Sequence, residues 1–261
     1  MREGLDSRWI LGMRVDSTSY ERAVKAIVKR AKSGNGGYVC VASVNNVMEA
    51  HDSPEILAAM NGSELTTPDG MPLVWGLRSL GASAATRVYG PDLMPAILAR
   101  AEEEGLAVGF YGGSPEALHL LVREVRTRWP KLTLAHIESP PFREPNADET
   151  NRTIKSLETS GTEILFVGLP TPKQDLWMAR QRVQVRAVMV GVGAAFDFLS
   201  GRKRQAPRWM MRIGLEWLFR LATEPRRLWK RYLKHNPRFV VYFGWQLFRY
   251  RVLGHGRQGA A

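Results

Sequence analysis

The sequence predicts an α/β fold in which a mostly parallel sheet carries helices on both faces, followed by a basic helical C-terminal appendage. Two observations predict the sheet. Short runs rich in Val, Ile and Phe alternate with longer stretches whose apolar residues lie three or four apart, and several runs end in glycine just before a helical stretch. A third observation predicts the appendage, because the excess positive charge lies entirely after residue 200.

Five predicted strands alternate with five predicted helices. The strands are residues 38–44, 107–112, 132–137, 163–169 and 187–192, and the helices are residues 17–32, 91–104, 115–129, 147–157 and 173–183. Ligands of such sheets bind beyond the carboxyl ends of the strands. We therefore expect the chemistry in the loops that follow Val44, Tyr111, Val167 and Val190.

Prolines divide the tail into predicted helical segments. Thr223 and Pro225 predict the start of a helix that runs to about Lys234, and the pair Asn236-Pro237 precedes another helix. The longest apolar run of the tail, residues 239–248, is about half of the roughly 20 residues that a membrane-spanning helix needs. We expect the chain to lie on a membrane without crossing it.

The charge of the tail separates it from the rest of the chain. From Gly201 onward there are 15 Lys and Arg against two acids, Glu216 and Glu224, whereas the first 200 residues carry 22 bases and 23 acids. The tail also holds four of the eight Trp. We therefore divide the chain into an α/β catalytic domain, residues 1–200, and a basic aromatic appendage, residues 201–261. Such an appendage suits a phospholipid headgroup layer or nucleic acid.

The remaining bulk features indicate a protein of a reducing compartment. The single cysteine, Cys40, lies in an apolar run and is expected to be a buried small hydrophobe, so no disulfide can form within the chain. The N-terminal residues 1–8 include acids and lack a continuous apolar stretch, so no signal peptide is expected.

Two polar segments offer candidate catalytic groups. Ser43 and Asn45 follow the first clear strand and suit hydrogen bonds to a sugar, although Asn after a strand commonly makes a turn or a helix cap. Asp69 is a lone carboxylate between Pro68 and Gly70 in an apolar neighbourhood, where a raised pKa would suit a general base. An ordinary Pro-Asp-Gly turn is the alternative, and without further support it is the stronger one.

Glycine-rich strand ends and basic residues suggest a phosphate site. Gly112 and Gly113 precede a helix N-terminus, which offers unpaired N–H groups to a phosphate. Lys173 in the first turn of a helix is unfavourable unless an anion lies nearby, although an exposed lysine would cost little and would need no ligand. Neither these glycines nor Gly191 and Gly193 complete a G-x-G-x-x-G motif, which disfavours a nicotinamide dinucleotide. The sequence has no Asp-x-Asp triplet and no His/Cys cluster, so neither a metal site nor another cofactor is expected.

These segments together resemble the WecG/TagA/CpsF family, glycosyltransferase family 26, whose members extend lipid-linked sugars on the cytoplasmic face of the bacterial membrane. The matching stretches follow one another from about residue 40 to 231. They are Ser43-Val-Asn45, Pro68-Asp69-Gly70, Arg87-Val-Tyr-Gly90-Pro-Asp92-Leu93, Phe110-Tyr-Gly-Gly113, Gly168-Leu-Pro-Thr-Pro-Lys173-Gln174-Asp175-Leu-Trp177, Gly191-Val-Gly193-Ala-Ala-Phe-Asp197, Ala206-Pro207, Gly214-Leu-Glu216-Trp217-Leu-Phe-Arg220-Leu221 and Glu224-Pro225-Arg226-Arg227.

The resemblance implies an inverting transfer, without a metal, of an N-acetylmannosamine-type sugar or glucose from a UDP-sugar to an undecaprenyl-diphosphate-linked saccharide. It implies that Asp69 is the general base and that Ser43 and Asn45 surround the donor sugar. The family usually has Thr in place of Ser43 and Glu in place of Asp175, and both differences keep the functional group. The other residues that it places at the substrate are Gly112, Gly113, Gln174, Gly191, Asp197 and the tail arginines Arg220, Arg227 and Arg231.

The resemblance also implies that the appendage binds an anionic membrane and delivers its arginines into the pocket, on one helical face if the helix is continuous. We expect a peripheral protein on the inner face of the bacterial cell membrane, possible self-association, and no nucleic-acid partner. The alternative function is a nucleic-acid-binding module on an α/β scaffold, since bases interleaved with aromatics suit phosphate contacts and stacking.

Overall fold

A computed structural model describes residues 6–252. Residues 1–5, part of the segment in which no signal peptide is expected, and residues 253–261 at the end of the appendage lie outside the described range. The strands are β1 (Asp6–Ile10), β2 (Met13–Ser17), β3 (Tyr38–Ala42), β4 (Leu65–Pro68), β5 (Val108–Gly112), β6 (Leu134–Glu138), β7 (Ile164–Gly168) and β8 (Val188–Gly191).

The helices follow in the same range. They are α1 (Tyr20–Lys32), α2 (Val44–Asp52), α3 (Pro54–Gly62), α4 (Met71–Ser79), α5 (Gly90–Glu104), α6 (Pro115–Arg128), α7 (Ala147–Thr159), α8 (Lys173–Gln181), α9 (Ala195–Leu199), α10 (Arg208–Arg212), α11 (Glu216–Thr223) and α12 (Pro225–Val252). Within the described residues, β1 and β2 form an antiparallel hairpin and six strands form one parallel sheet in the order β4-β3-β8-β7-β5-β6.

The sheet separates two hydrophobic cores, as alternation along its strands requires. In β7, Leu165 and Val167 enter one core and Ile164 and Phe166 enter the other, and all four side chains are fully buried. Strands buried on both faces need helices on both faces, which is the layered arrangement predicted from the sequence. The α/β prediction is confirmed.

The five predicted strands are β3 and β5–β8, and the five predicted helices are α1 and α5–α8. The first predicted strand was too long, because β3 ends at Ala42 and α2 begins at Val44, with Ser43 at its N-cap. Residues 65–68, which end where the Pro-Asp-Gly segment begins, form the edge strand β4, which was not predicted from the sequence. Proline is tolerated at an edge, and Pro68 ends a strand that pairs with β3 alone.

The tail differs from its prediction at Pro237. Two helices were expected there, but α12 continues through this proline from Pro225 to Val252. A proline removes one helix hydrogen bond, but contacts with the sheet domain on both sides of it hold the helix in place. Before the proline, His235 Nε2 lies 3.2 Å from Glu49 Oε1 of α2. Arg238 pairs with Asp52 of α2 at 2.5 and 2.8 Å, and the rings of Phe239 and Phe243 are buried in the core.

The tail is not one continuous helix at its beginning. Helix α11 ends at Thr223 and α12 begins at Pro225, so Arg220 lies on a different helix from Arg227 and Arg231. The three arginines therefore do not share one helical face. In the range 6–252 no helix combines the length and the apolar character needed to cross a membrane.

Candidate active site

The carboxyl ends of the parallel strands open into a cavity of about 1070 Å³, and residues of the tail form part of its wall. Except for Gly112, every residue that the sequence analysis placed at the site lines this cavity: Ser43, Asn45, Asp69, Gly113, Gln174, Gly191, Asp197, Arg220, Arg227 and Arg231. A smaller pocket of about 430 Å³, between the β1–β2 turn and α12, is lined by no carboxylate. The first cavity is therefore the candidate active site.

Asp69 follows edge strand β4, and its backbone N–H donates to the Ala42 carbonyl at 2.8 Å. Burial raises the pKa of its carboxyl to about 6, while the Arg87 cation lowers it, Glu216 raises it and Arg220 lowers it. The direction of the shift agrees with the sequence prediction. The description of Asp69 as a lone carboxylate in apolar surroundings was wrong, because Arg87 lies 3.3 Å from its Oδ1 and also contacts Glu216.

Ser43 and Asn45 lie at the start of α2. The backbone N–H and the hydroxyl of Ser43 both donate to Asn46 Oδ1, at 3.1 and 3.0 Å, so this segment does cap the helix, as the alternative interpretation held. Asn45 is different. Its Oδ1 is buried and accepts no hydrogen bond from any residue in the described range, which leaves a desolvated acceptor at the cavity wall for a donor such as a sugar hydroxyl.

The glycines allow strand ends and side chains to pack closely. Gly112 has a φ of +123°, and a Cβ there would lie 2.6 Å from the Gly168 carbonyl, so only glycine fits between these two strand ends. A Cβ at Gly191 would lie 2.5 Å from Nε2 of Gln174. The buried Gln174 side chain accepts a hydrogen bond from the Gly193 N–H at 2.8 Å, which fixes the loop after β8.

Arg220, Arg227 and Arg231 of the tail form a cationic part of the cavity wall. The Nε atoms of Arg220 and Arg231 are buried and have no hydrogen-bond partner among the described residues. Burial lowers the pKa of Arg231, the Tyr232 phenol raises it, and the like charges of Arg220 and Arg227 lower it further. Buried donors without an acceptor and like charges held close together are both costly, so this arrangement favours a bound anion.

Asp197 and two further bases lie on the same wall. Its carboxylate pairs with Lys203 at 3.3 Å and with Arg202 at 3.6 Å, and both bases line the cavity. Lys203 also pairs with Glu224 at 3.2 Å. Among residues 6–252, no group of three His, Cys, Asp or Glu side chains is placed to hold a metal ion.

Sequence reasoning missed Arg87, Glu216, Arg202 and Lys203 as parts of the site. Arg87 and Glu216 both stand in stretches that carry the family resemblance, which was the available signal. Nothing in their spacing of 129 residues predicts that the two side chains meet.

A family model described as the glycosyl transferase WecG/TagA/CpsF family matches residues 8–252. The chain belongs to this family. The match runs from β1 to the end of α12, so it covers the sheet domain and the appendage alike, and it confirms the resemblance inferred from the motifs. This WecG/TagA/CpsF member is a glycosyltransferase, and its family acts in the synthesis of cell-surface polysaccharides.

Proposed function

We propose that this WecG/TagA/CpsF member is an inverting transferase that moves a sugar from a UDP-sugar to an undecaprenyl-diphosphate-linked saccharide. The observation that supports it best is the pairing of two features in one cavity. A carboxyl with a pKa raised to about 6 lies at the strand ends, and the wall carries Arg220 and Arg231, whose buried Nε atoms have no hydrogen-bond partner in the described range. An inverting displacement needs one base and stabilisation for one anionic leaving group, and this cavity offers both.

In the proposed reaction, Asp69 accepts the proton of the acceptor hydroxyl as that oxygen forms a bond to C1 of the donor sugar. The bond between C1 and the diphosphate oxygen breaks, and UDP leaves with the electron pair. Arg220, Arg227 and Arg231 neutralise the charge that develops on the diphosphate, because guanidinium groups form charge-assisted hydrogen bonds with phosphate oxygens. The free Oδ1 of Asn45 is placed to accept from a hydroxyl of the donor sugar.

The lipid-linked acceptor requires that the enzyme works at a membrane surface, and we propose that the appendage docks there from the cytoplasmic side. Trp209, Trp217, Trp229 and Trp245 expose between 40% and 62% of their surface among the bases of the tail. Exposed Trp beside Lys and Arg suits the interface of an anionic bilayer. We retain the division into residues 1–200 and 201–261 as part of this proposal.

The donor is to be identified with a panel of UDP-sugars that includes N-acetylmannosamine-type and glucosyl donors. Each is offered with polyprenyl-diphosphate-linked N-acetylglucosamine or glucose, and the product is read as a lipid-linked disaccharide. A pair that yields product identifies the substrates. Absence of product from every pair would contradict the proposed donor and acceptor classes.

The role of Asp69 is tested by Asp69→Asn. We expect loss of transfer by at least about a hundredfold, since a base that accepts the acceptor proton contributes about this much or more. UDP affinity, measured by calorimetry, should remain close to that of the wild type, which shows that the cavity is intact. In the wild type, kcat/KM should rise with pH and level off above about pH 6, because only the ionised carboxyl accepts a proton. Retained turnover in the variant would exclude Asp69 as the base.

A further inference from the structure

The tail contributes an acid as well as bases to the active site. Glu216, the first residue of α11, contacts the Arg87 guanidinium through its Oε2, and the same Nη2 of Arg87 lies 3.3 Å from Asp69 Oδ1. The side chains of Glu216 and Arg87 are only 13% and 15% exposed. The three groups therefore form a carboxylate–guanidinium–carboxylate cluster that only a docked tail completes.

In this cluster one cation serves two carboxylates. The Arg87 Nε donates to the backbone carbonyl of Asp69, and its guanidinium lies 4.3 Å from the centre of the Tyr89 ring, so the side chain is held from several sides. The contact with Glu216 uses an N–H donor of the Arg87 guanidinium that would otherwise be available to the Asp69 carboxylate. A bidentate pair between Arg87 and Asp69 would be the stronger arrangement for the two alone.

The charged and titratable groups that face Asp69 come from four parts of the fold. Arg87 precedes α5, Glu216 and Arg220 lie on α11, Tyr89 is at the start of α5, and Tyr20 begins α1. Arg87 and Arg220 favour ionisation of Asp69, whereas Glu216 opposes it. The tail thus brings one group of each sign to the carboxyl.

We propose that Glu216 is a positioning residue for the reaction: by engaging Arg87 from the tail, it prevents a closed bidentate pair with Asp69 and leaves that carboxylate available to the acceptor hydroxyl. The inference rests on the proposed function, because it assigns Glu216 a role relative to Asp69 as the base. It adds that the appendage completes the catalytic arrangement as well as supplying arginines.

The test compares the full-length wild type with Glu216→Gln, Glu216→Asp and Asp52→Asn. The last variant is the matched control, because Asp52 also pairs the tail with the sheet domain, through Arg238 on α12, but is not among the groups that act on Asp69. Each protein carries ¹³C-labelled aspartate, and the Asp69 carboxyl signal, assigned by Asp69→Asn, is followed against pH. Transfer is measured in parallel.

For Glu216→Gln we expect the pH midpoint of the Asp69 titration to fall by about one unit. The substitution removes a close like charge and lets Arg87 pair more tightly with Asp69. Transfer at pH 8 should fall about tenfold, with the loss in kcat rather than KM. In Glu216→Asp the pH midpoint of Asp69 should stay close to that of the wild type, because aspartate keeps the negative charge. Asp52→Asn should leave the midpoint unchanged.

An Asp69 midpoint that stays in place or moves upward in Glu216→Gln would overturn the inference. An equal shift in Asp52→Asn would also overturn it, since Glu216 would then serve only to dock the tail. If no donor and acceptor pair gives transfer with the wild type while the midpoint moves as expected, the proposed function fails but the link between Glu216 and Asp69 stands. The carboxyl titration therefore separates the two failures.

Discussion

At the scale of single residues, Asp175 shows how the fold maintains a buried acid behind the active site. Its carboxylate is fully buried and accepts a hydrogen bond from Asn46 Nδ2 at 3.2 Å, and Asn46 in turn accepts from Ser43. Burial raises the pKa of Asp175 to about 6, although hydrogen bonds with Cys40, Gln174 and Asn46 lower it. The folded protein therefore binds this proton more tightly than the unfolded chain does.

Because the pKa of Asp175 is raised, we expect Asp175→Asn to increase the stability of the protein by an amount that depends on pH. In the wild type, ionisation of Asp175 costs stability as the pH rises from about 4 to 6, and the cost stays constant above that. Asparagine carries no charge and keeps an oxygen for Asn46. We expect the free energy of unfolding to exceed that of the wild type by up to about 3 kcal/mol at pH 7, with little difference at pH 4. Urea unfolding at both pH values measures it.

Asp52→Asn is the control, because the pKa of Asp52 is shifted in the opposite direction to that of Asp175. The Arg238 guanidinium lowers the pKa of Asp52 to about 2, so this ion pair stabilises the protein above about pH 4 and the stabilisation is lost as the pH falls toward 2. The variant should be less stable than the wild type at pH 7. A gain for Asp175→Asn of the same size at pH 4 and pH 7 would contradict the assigned cause.

Single residues of the site were predictable where one local segment carried the signal. Asp69 stood out as a carboxylate between proline and glycine, and burial does raise its pKa. Its partners were not predictable from residue spacing. Glu216 reaches Arg87 only because the tail folds back over the strand ends, where Met211 and Phe219 pack in a cluster with Tyr89. No local pattern in the sequence predicts that contact.

At the scale of elements, helix α12 has two faces with different tasks. Phe239 and Phe243 stack with ring centres 5.5 Å apart and are buried in the core, where Phe243 packs on the bare backbone of Gly76 in α4. Val240 and Val241 are 70% and 66% exposed on the other side. The buried face fixes the tail on the sheet domain, and the exposed face stays available for another surface.

We expect Phe243→Ala to lower the free energy of unfolding by about 3 kcal/mol, since a large buried ring leaves a cavity when it is removed. Val240→Ala, on the exposed side of the same helix, should change it by less than about 0.5 kcal/mol. Urea unfolding of both variants measures the difference. Equal effects of the two substitutions would show that α12 does not dock through its phenylalanine face.

The predictability of the elements followed their periodicity. Helices α1 and α5–α8 alternate with buried strands and have apolar residues on one face, so the 3.6-residue period was visible. The region from residue 44 to 79 was not resolved into elements from the sequence. There α3 and α4 have nine residues each and largely apolar composition, and β4 has four residues with two buried threonines, which leaves little contrast between faces.

At the scale of the whole molecule, the basic residues of the tail face two different environments. The bases of the tail fall into two groups: Arg220 and Arg231 turn toward the cavity, whereas Arg226 and Lys230 are exposed. Inner bases suit a diphosphate and outer bases suit an anionic surface. The proposed function therefore requires that the two groups can be separated by experiment.

Lys230 and Arg231 are adjacent in α12 and provide a matched pair, because Lys230 is exposed whereas Arg231 lines the cavity. Lys230→Gln should weaken binding to phosphatidylglycerol vesicles about fivefold, as expected for one basic residue near a charged bilayer, and leave UDP affinity unchanged. Arg231→Gln should weaken UDP binding about tenfold through a lost charge-assisted hydrogen bond, with a smaller effect on vesicles. Vesicle sedimentation and calorimetry measure the two affinities.

The same experiment decides between the two anionic partners considered for the tail. Binding to the vesicles should fall steeply as salt rises, because exposed charges are screened, and vesicles of neutral lipid should retain little protein. Single-stranded DNA should bind more weakly than anionic vesicles at the same salt, since the inner arginines face the cavity rather than an open groove. DNA binding that exceeds vesicle binding and depends on Lys230 would favour the nucleic-acid interpretation. In that case the positive charge of the appendage would serve nucleic-acid binding rather than the glycosyl transfer proposed for the cavity.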